Sequence, residues 1–261
     1  MKYLCRVVAA AAVMTCIVSG CGSSNQASSS STTSPAGTGK LMVFAAASLN
    51  KSFTAIGEQF KTDDPGADIE FNFAGSSDLV TQLTQGAPGD VFASADTKNM
   101  DKAVQAGLLD GDPVNFASNT LTIVVAPGNP KKIASFADLT QPGLSVVVCA
   151  PQVPCGSATQ KVEKATNVQL KPVSEESQVT DVLNKVTTGQ ADAGLVYVTD
   201  AQGAGNKVTA VAFPESAEAV NTYPIAVLKQ SKNPELAREF IDLVTGDAGQ
   251  KALTAAGFAR P

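Results

Sequence analysis

Apolar positions in this chain alternate between strand and helix spacing from about residue 40 onward. Residues 40–47 form an apolar run that reads as a buried strand, after which Leu49, Phe53, Ile56 and Phe60 fall at i, i+4, i+7 and i+11, one face of a helix. Asp64-Pro65-Gly66 closes that helix in a turn. Residues 68–73 alternate, with Ile69, Phe71 and Phe73 on one side, as a strand does. Gly75-Ser76-Ser77 opens a helix carrying Leu79, Val80 and Leu83; Ala87-Pro88-Gly89 breaks it before a short buried strand at 90–93. A helix follows over 100–109, stopped around Gly107 and Gly111. Further on, strands are predicted at 120–126, 144–149, 194–198, 208–213 and 223–228, and helices at 133–139, 157–165, 177–188 and 234–245. No internal repeat is visible. Strands alternating with helices predict an α/β protein, a parallel sheet covered by helices. The units are too many for one compact sheet, so two lobes are expected.

The first 39 residues break this pattern. Lys2 and Arg6 precede an apolar run from Val7 to Val18, twelve residues against the roughly 20 needed to span a bilayer. A charged start, a short apolar stretch and small residues at Ser19-Gly20 read as a secretory signal over 1–20. Val18-Ser19-Gly20-Cys21 resembles the lipobox of bacterial lipoproteins, which implies lipidation of Cys21 as the mature N-terminus. Residues 21–39 are nearly all Ser, Thr, Gly, Asn and Gln, a composition that buries too little apolar surface to offset chain entropy. A flexible tether with a reach of about 23 Å is expected there. The implied location is the outer face of the cytoplasmic membrane.

Composition narrows the chemistry. With no His, neither a Ser-His-Asp nor a Cys-His nucleophile can be built, nor an imidazole-ligated zinc site. A net charge of −5 argues against nucleic acid, which requires a basic face. Removing the signal leaves 17 cations against 24 anions, a formal −7. With Cys21 lipidated, Cys149 and Cys155 remain in a compartment that permits disulfides, and Pro151 and Pro154 favour a bend between them. Two readings stay open, a bridge or two buried thiols.

Two strands end in small residues before a Ser-bearing helix start: Phe44-Ala45-Ala46-Ala47-Ser48-Leu49 and Phe73-Ala74-Gly75-Ser76-Ser77. Serines read as N-caps lie beside the orphan N–H groups of the first turn, where an anion is favoured. These blocks, with residues 85–96, Leu195-Val196-Tyr197, Tyr223-Pro224 and Gly257-Phe258, resemble the molybdate-binding receptors of ABC transporters. The resemblance covers nearly all of 40–261. It implies a two-lobed periplasmic-binding-protein fold of type II, each lobe a mixed sheet covered by helices, with the ligand in the cleft. The lobes would be 40–121 plus 223–261, and 122–222.

The resemblance also implies a site of hydrogen-bond donors alone: hydroxyls of Ser48, Ser76 and Tyr197, and backbone N–H groups at Cys155 and Val179. The helix reading agrees at Val179, which sits at N2 if Ser177 is the N-cap. Implied with it are no cofactor and no metal ligated by side chains, molybdate or tungstate as ligand, the membrane permease of an ABC importer as partner, and a monomer. Other tetrahedral oxyanions, sulfate or phosphate, are the alternative ligands. A remote alternative is an exported hydrolase, since Ser48-Leu49-Asn50-Lys51 fits S-x-x-K, although the companion S-D-N and K-T-G elements are missing.

Overall fold

Apolar strands with small carboxyl ends, each feeding a helix, organise the described part of the chain. The computed structural model describes residues 39–261. In chain order the elements are β1 (Gly39–Ala46), α1 (Asn50–Asp63), β2 (Ala67–Ala74), α2 (Ser76–Thr84), β3 (Val91–Ala93), α3 (Thr97–Gln105), β4 (Val114–Asn119) and β5 (Leu121–Val125). There follow β6 (Val146–Cys149), α4 (Pro154–Thr166), β7 (Ser174–Glu176), α5 (Val179–Thr187), β8 (Ala193–Tyr197), α6 (Val198–Ala204), β9 (Thr209–Val211), β10 (Asn221–Val227), α7 (Pro234–Thr245) and α8 (Asp247–Ala255). Among these residues no helix is long and apolar enough to cross a membrane.

The strands form two five-stranded mixed sheets, ordered β2-β1-β3-β10-β4 and β7-β6-β8-β5-β9. In the first, β1 lies parallel to β2 and β3, and β10 runs antiparallel to β3 and β4. In the second, β6 lies parallel to β7 and β8, and β5 runs antiparallel to β8 and β9. The two sheets therefore share one plan, strand for strand and sense for sense, a duplication that no sequence repeat reveals. Each sheet takes its antiparallel fourth strand from the far side of a crossover. The chain passes from first sheet to second between Asn119 and Leu121, and returns between Val211 and Asn221.

Helices cover both faces of the first sheet. Phe53 of α1, Phe240 of α7 and Leu253 of α8 pack on one face, Leu79 and Val80 of α2 and Met100 of α3 on the other. Phe53 sits at the centre of an aromatic group, 5.7 Å from Phe116 and 5.9 Å from Phe240 between ring centroids. Burying a side chain of that size stabilises by about 1.5–3 kcal/mol. The second sheet has an aliphatic core instead, built on Val146–Val148, Val162, Val182 and Val186.

Several elements depart from the periodicity. β4 and β7 were not expected: Val114-Asn-Phe-Ala-Ser-Asn and Ser-Glu-Glu are too polar to read as strands, and both lie at or beside a sheet edge. The helix expected over 133–139 is only a 3-10 turn, Ala137–Thr140. That expected from 157 begins at Pro154, whose fixed φ suits N1, so Pro154 and Cys155 belong to the helix rather than a loop. The strand expected to reach Val198 gives way to α6, whose start is held by Asp200 Oδ2 accepting from the Tyr197 N–H at 3.1 Å. α8 was hidden because its Ala-, Gly- and Gln-rich sequence buries only Gly249 and Leu253.

Candidate functional site

The carboxyl ends of the parallel strands point at one another. In mixed sheets this is where ligands are received, because each strand hands over to a helix whose first N–H groups lack intrahelical acceptors. Six such ends meet here, those of β1, β2, β3, β6, β7 and β8, with Ala95 after β3 also lining the cavity. The residues following them, Ser48, Ser76, Cys155 and Val179, with Tyr197 at the end of β8, all line one cavity of about 10 Å³. The five positions named from the sequence are thus brought together, from both sheets.

Their local roles differ from expectation. Neither serine is a cap. Ser48 is the middle residue of a 3-10 turn, Ala47–Leu49, with Ala46 at its start, and Ser76 is the first residue of α2, preceded by Gly75 as N-cap. Val179 is the first residue of α5, with Gln178 rather than Ser177 at the N-cap, so it occupies N1 and not N2. Its N–H remains one of the four without an intrahelical acceptor. Cys155, at N2 of α4, is in the same position. Because the serine hydroxyls are not spent on capping, they are available to the cavity.

The hydroxyl network sets the direction of those donors. Ser76 Oγ accepts the Ala95 N–H at 3.0 Å, which leaves its own proton free. The Tyr197 hydroxyl accepts from Asn221 Nδ2 at 3.0 Å, while the same amide donates to the Ala95 carbonyl at 2.7 Å. Ser48 Oγ and the Tyr223 hydroxyl lie 3.0 Å apart, and either can donate. Burial pushes the phenols of Tyr197 and Tyr223 upward, with nearby acidic groups adding to the effect, so both keep their protons.

No charged side chain lines the cavity among the described residues. Asp96 lies close by, capping α3 through the Asn99 N–H at 2.9 Å; burial raises its pKa, and its Oδ2 has no protein partner. Asp200, behind Tyr197, is pushed up to about 7 by burial. Among the described residues no group of three or more His, Cys, Asp or Glu is placed to hold a metal ion. Ser48 is hydrogen-bonded to Tyr223, and no hydrogen bond joins it to Lys51, the pairing an S-x-x-K hydrolase would use.

Cys149 and Cys155 are joined as a disulfide that links the end of β6 to the first turn of α4. The loop between them is folded tightly: a methyl at Gly156 would overlap the carbonyl oxygens of Ala150 and Cys149. The bond and that close approach fix the position of the Cys155 N–H.

Three residues of the network were not named as site residues from the sequence: Asn119, Asn221 and Tyr223, the last of them quoted only within the Tyr223-Pro224 block of the resemblance. Asn221 is buried at the start of a hydrophobic strand and ties Ala95, after β3 of the first sheet, and Tyr197, at the end of β8 of the second, to one amide. Asn119, at the other crossover, donates to Thr199 Oγ1 at 2.8 Å. The available signal was a polar residue beside each crossover, which by itself does not distinguish a bond across the molecule from a turn.

Residues 41–259 match the family model described as bacterial extracellular solute-binding protein. The chain is 62% identical over 241 residues to the molybdate-binding protein ModA of Mycobacterium tuberculosis, covering 92% of each. Among solved structures it resembles the Azotobacter vinelandii periplasmic molybdate-binding protein, with a TM-score of 0.73 at 22% identity over 85% of this chain and 99% of that one. It also resembles the sulfate-binding protein SubI of Mycobacterium tuberculosis, with a TM-score of 0.74 at 21% identity over 85% and 86%. At those identities the two structures show a shared fold.

Proposed function

This chain belongs to the bacterial extracellular solute-binding protein family, and we propose that it is the extracytoplasmic receptor that binds molybdate and delivers it to an ABC importer. It is a binding protein, not an enzyme. The observation that carries the ligand class is the polarity of the cavity. Ser76 and Tyr197 each accept one hydrogen bond from a group that cannot do otherwise, an N–H of Ala95 and of Asn221, so each must send its own proton elsewhere. With Tyr223 donating to Ser48, the Ser48 proton is freed in the same way. Backbone N–H groups of Cys155 and Val179 complete a set that offers donors and no acceptor.

A fully deprotonated tetrahedral dianion suits such a set, because it accepts from every direction. Phosphate near neutral pH keeps a proton that would face donors only, leaving a polar group unsatisfied at about 1–3 kcal/mol. Sulfate has the right charge and is smaller, so discrimination against it falls to the dimensions of the cavity. Rigid elements hold those dimensions, including the first turn of α4 pinned by the disulfide. Tungstate shares the charge and nearly the size of molybdate and is read as a second ligand.

We read residues 40–121 plus 223–261 as one lobe and 122–222 as the other, with the oxyanion in the cleft between them. The crossovers near Asn119 and Asn221 support this reading, as does a cavity drawn from both sheets. The lipid anchor at Cys21 and residues 21–38 of the tether lie outside the described residues and rest on the lipobox-like and Ser/Thr/Gly-rich sequence, while Gly39, the last residue assigned to the tether, is the first of β1; the receptor is read as a monomer. Thermal unfolding with each oxyanion tests the ligand. At about 100 times Kd, a ligand adds roughly 2.7 kcal/mol. Stabilisation by molybdate and tungstate, but not by sulfate or phosphate, is expected; a uniform response or none overturns the reading.

A further inference from the structure

A cavity without a cation, in a body of 17 cations and 24 anions, leaves one step unaccounted for. The summed charge repels a dianion at long range, and the donors of the cavity act only at contact. Something outside must bring the ligand in.

Two wider spaces adjoin the cavity. One, of about 300 Å³, is lined by Lys51 of α1 and by Lys207 of the 3-10 turn after α6, so each sheet's helical layer contributes one ammonium. The other, of about 310 Å³, shares Ser48, Lys51, Thr199 and Gly203 with the first. Ser48 lines both spaces and the inner cavity as well, so it is the wall that separates mouth from site. Lys51 stands where the two spaces meet, its stem close to Gly203 of α6 on the opposite side.

Both lysines are exposed, and among the described residues neither belongs to an ion pair. Asp200 is the one acid lining these spaces. Its carboxylate faces inward to the Tyr197 N–H, and burial favours its neutral form, so it offsets little of the lysine charge.

We infer that Lys51 and Lys207 form a positive mouth that sets how fast the oxyanion associates, while the neutral donors inside set how long it stays. The inference rests on the receptor reading above. Cations at the rim of a cleft with low-dielectric walls focus the field and raise the local concentration of an anion, accelerating association by about 10- to 1000-fold. Placed outside the cavity, they attract every dianion alike and leave the choice among dianions to the donors. An acidic body is then compatible with fast capture, because beyond about 10 Å its repulsion is screened at ordinary salt while the mouth acts at short range.

Stopped-flow mixing with molybdate tests this in the full chain, read by tyrosine fluorescence, since the chain has no Trp and Tyr197 and Tyr223 sit at or beside the cavity. In the unaltered protein the association rate should fall steeply between about 20 and about 300 mM salt. Lys51→Met with Lys207→Met should associate about tenfold more slowly at low salt, with a shallower salt slope and a dissociation rate within about twofold. Lys61→Met with Lys171→Met removes the same net charge from exposed or half-exposed positions lining neither space, and should keep the steep slope. Equal association rates and slopes in the mouth variant and the unaltered protein overturn the inference, as does a change confined to dissociation. Failure of the unaltered protein to bind molybdate at all would instead overturn the receptor reading, and this one with it.

Discussion

Gly75 and Ser177 touch backbone to backbone beside the cavity: a methyl on Gly75 would overlap the Ser177 carbonyl oxygen. Gly75 follows β2 of the first sheet and Ser177 follows β7 of the second, so this contact measures how closely the two halves approach around the cavity. The Gly75 backbone, at φ −60° and ψ 138°, is one that any residue adopts. Glycine is required there by space and not by conformation.

Gly75→Ala is therefore expected to displace the Ser177 backbone and to wedge the halves apart. Molybdate affinity should drop by tenfold or more in titration calorimetry, with a lowered melting temperature for the ligand-free protein. A variant that binds with unchanged affinity would show that the approach of Gly75 to Ser177 is not needed for the bound state.

Asn221 ties the network together, and its effect separates from that of the hydroxyl it orients. Tyr197→Phe removes one donor to a charged ligand, worth about 1.5–3 kcal/mol, or roughly 10- to 150-fold in affinity. Asn221→Ala leaves the hydroxyl in place but frees its orientation and orphans the Ala95 carbonyl, so it should lower both affinity and stability. The expected pattern is a large binding loss with a moderate stability loss for Tyr197→Phe, which leaves one Asn221 amide N–H without its acceptor, and a larger stability loss for Asn221→Ala, which removes both bonds of that amide. Calorimetry beside thermal melts distinguishes them, and equal binding by Tyr197→Phe removes the tyrosine from the site.

How much of this was legible in the sequence follows from where the determinants lie. The strand-to-helix junctions at Ser48 and Ser76 were readable because small residues before a polar helix start are local features. The expected α/β class stands, with two mixed sheets each covered by helices. Edge strands β4 and β7 were not readable, since one partner suffices to hold a polar segment that has no apolar signature of its own. The matching plan of the two sheets was hidden because backbone topology, not side-chain identity, is what repeats: the first sheet is packed with phenylalanine, the second with valine. The partners Asn119, Asn221 and Tyr223 lie 175 residues or fewer from the groups they hold, as for Ser48 and Tyr223, and only the fold makes them neighbours.

The disulfide closes a short loop, with six residues of separation between Cys149 and Cys155. Chain entropy assigns a loop of that size about 2 kcal/mol, less than the roughly 3 kcal/mol of a 15-residue loop. Reduction, or Cys149→Ser with Cys155→Ser, should lower the melting temperature by about 4–8 °C in a protein of this size. The first turn of α4 would also loosen, so molybdate affinity should fall and the preference over sulfate should narrow. Loss of stability with selectivity unchanged would make the bond a structural clip with no part in the dimensions of the cavity.

Asp200 supplies a pH dependence whose sign is fixed by its direction of shift. Its pKa is raised from 3.8 to about 7 by burial, partly opposed by the hydrogen bond from the Tyr197 N–H. Between about pH 4 and pH 7 the folded protein holds a proton that the unfolded chain has released, so this residue's contribution to stability falls as pH rises through that window. Below pH 4 both states are protonated, and above pH 7 the cost of the buried charge is complete. Lys51 and Lys207 line the same space, and Tyr197 and Tyr223 stay neutral beside it. Asp200→Asn keeps an oxygen to accept the Tyr197 N–H and removes the titration. The variant should melt with the original protein near pH 4.5 and above it at pH 8, and the difference between the two curves should grow through the interval from 4 to 7. Melting curves at half-unit steps check this. Parallel curves at every pH would show that the carboxyl titrates alike in the folded and unfolded chain.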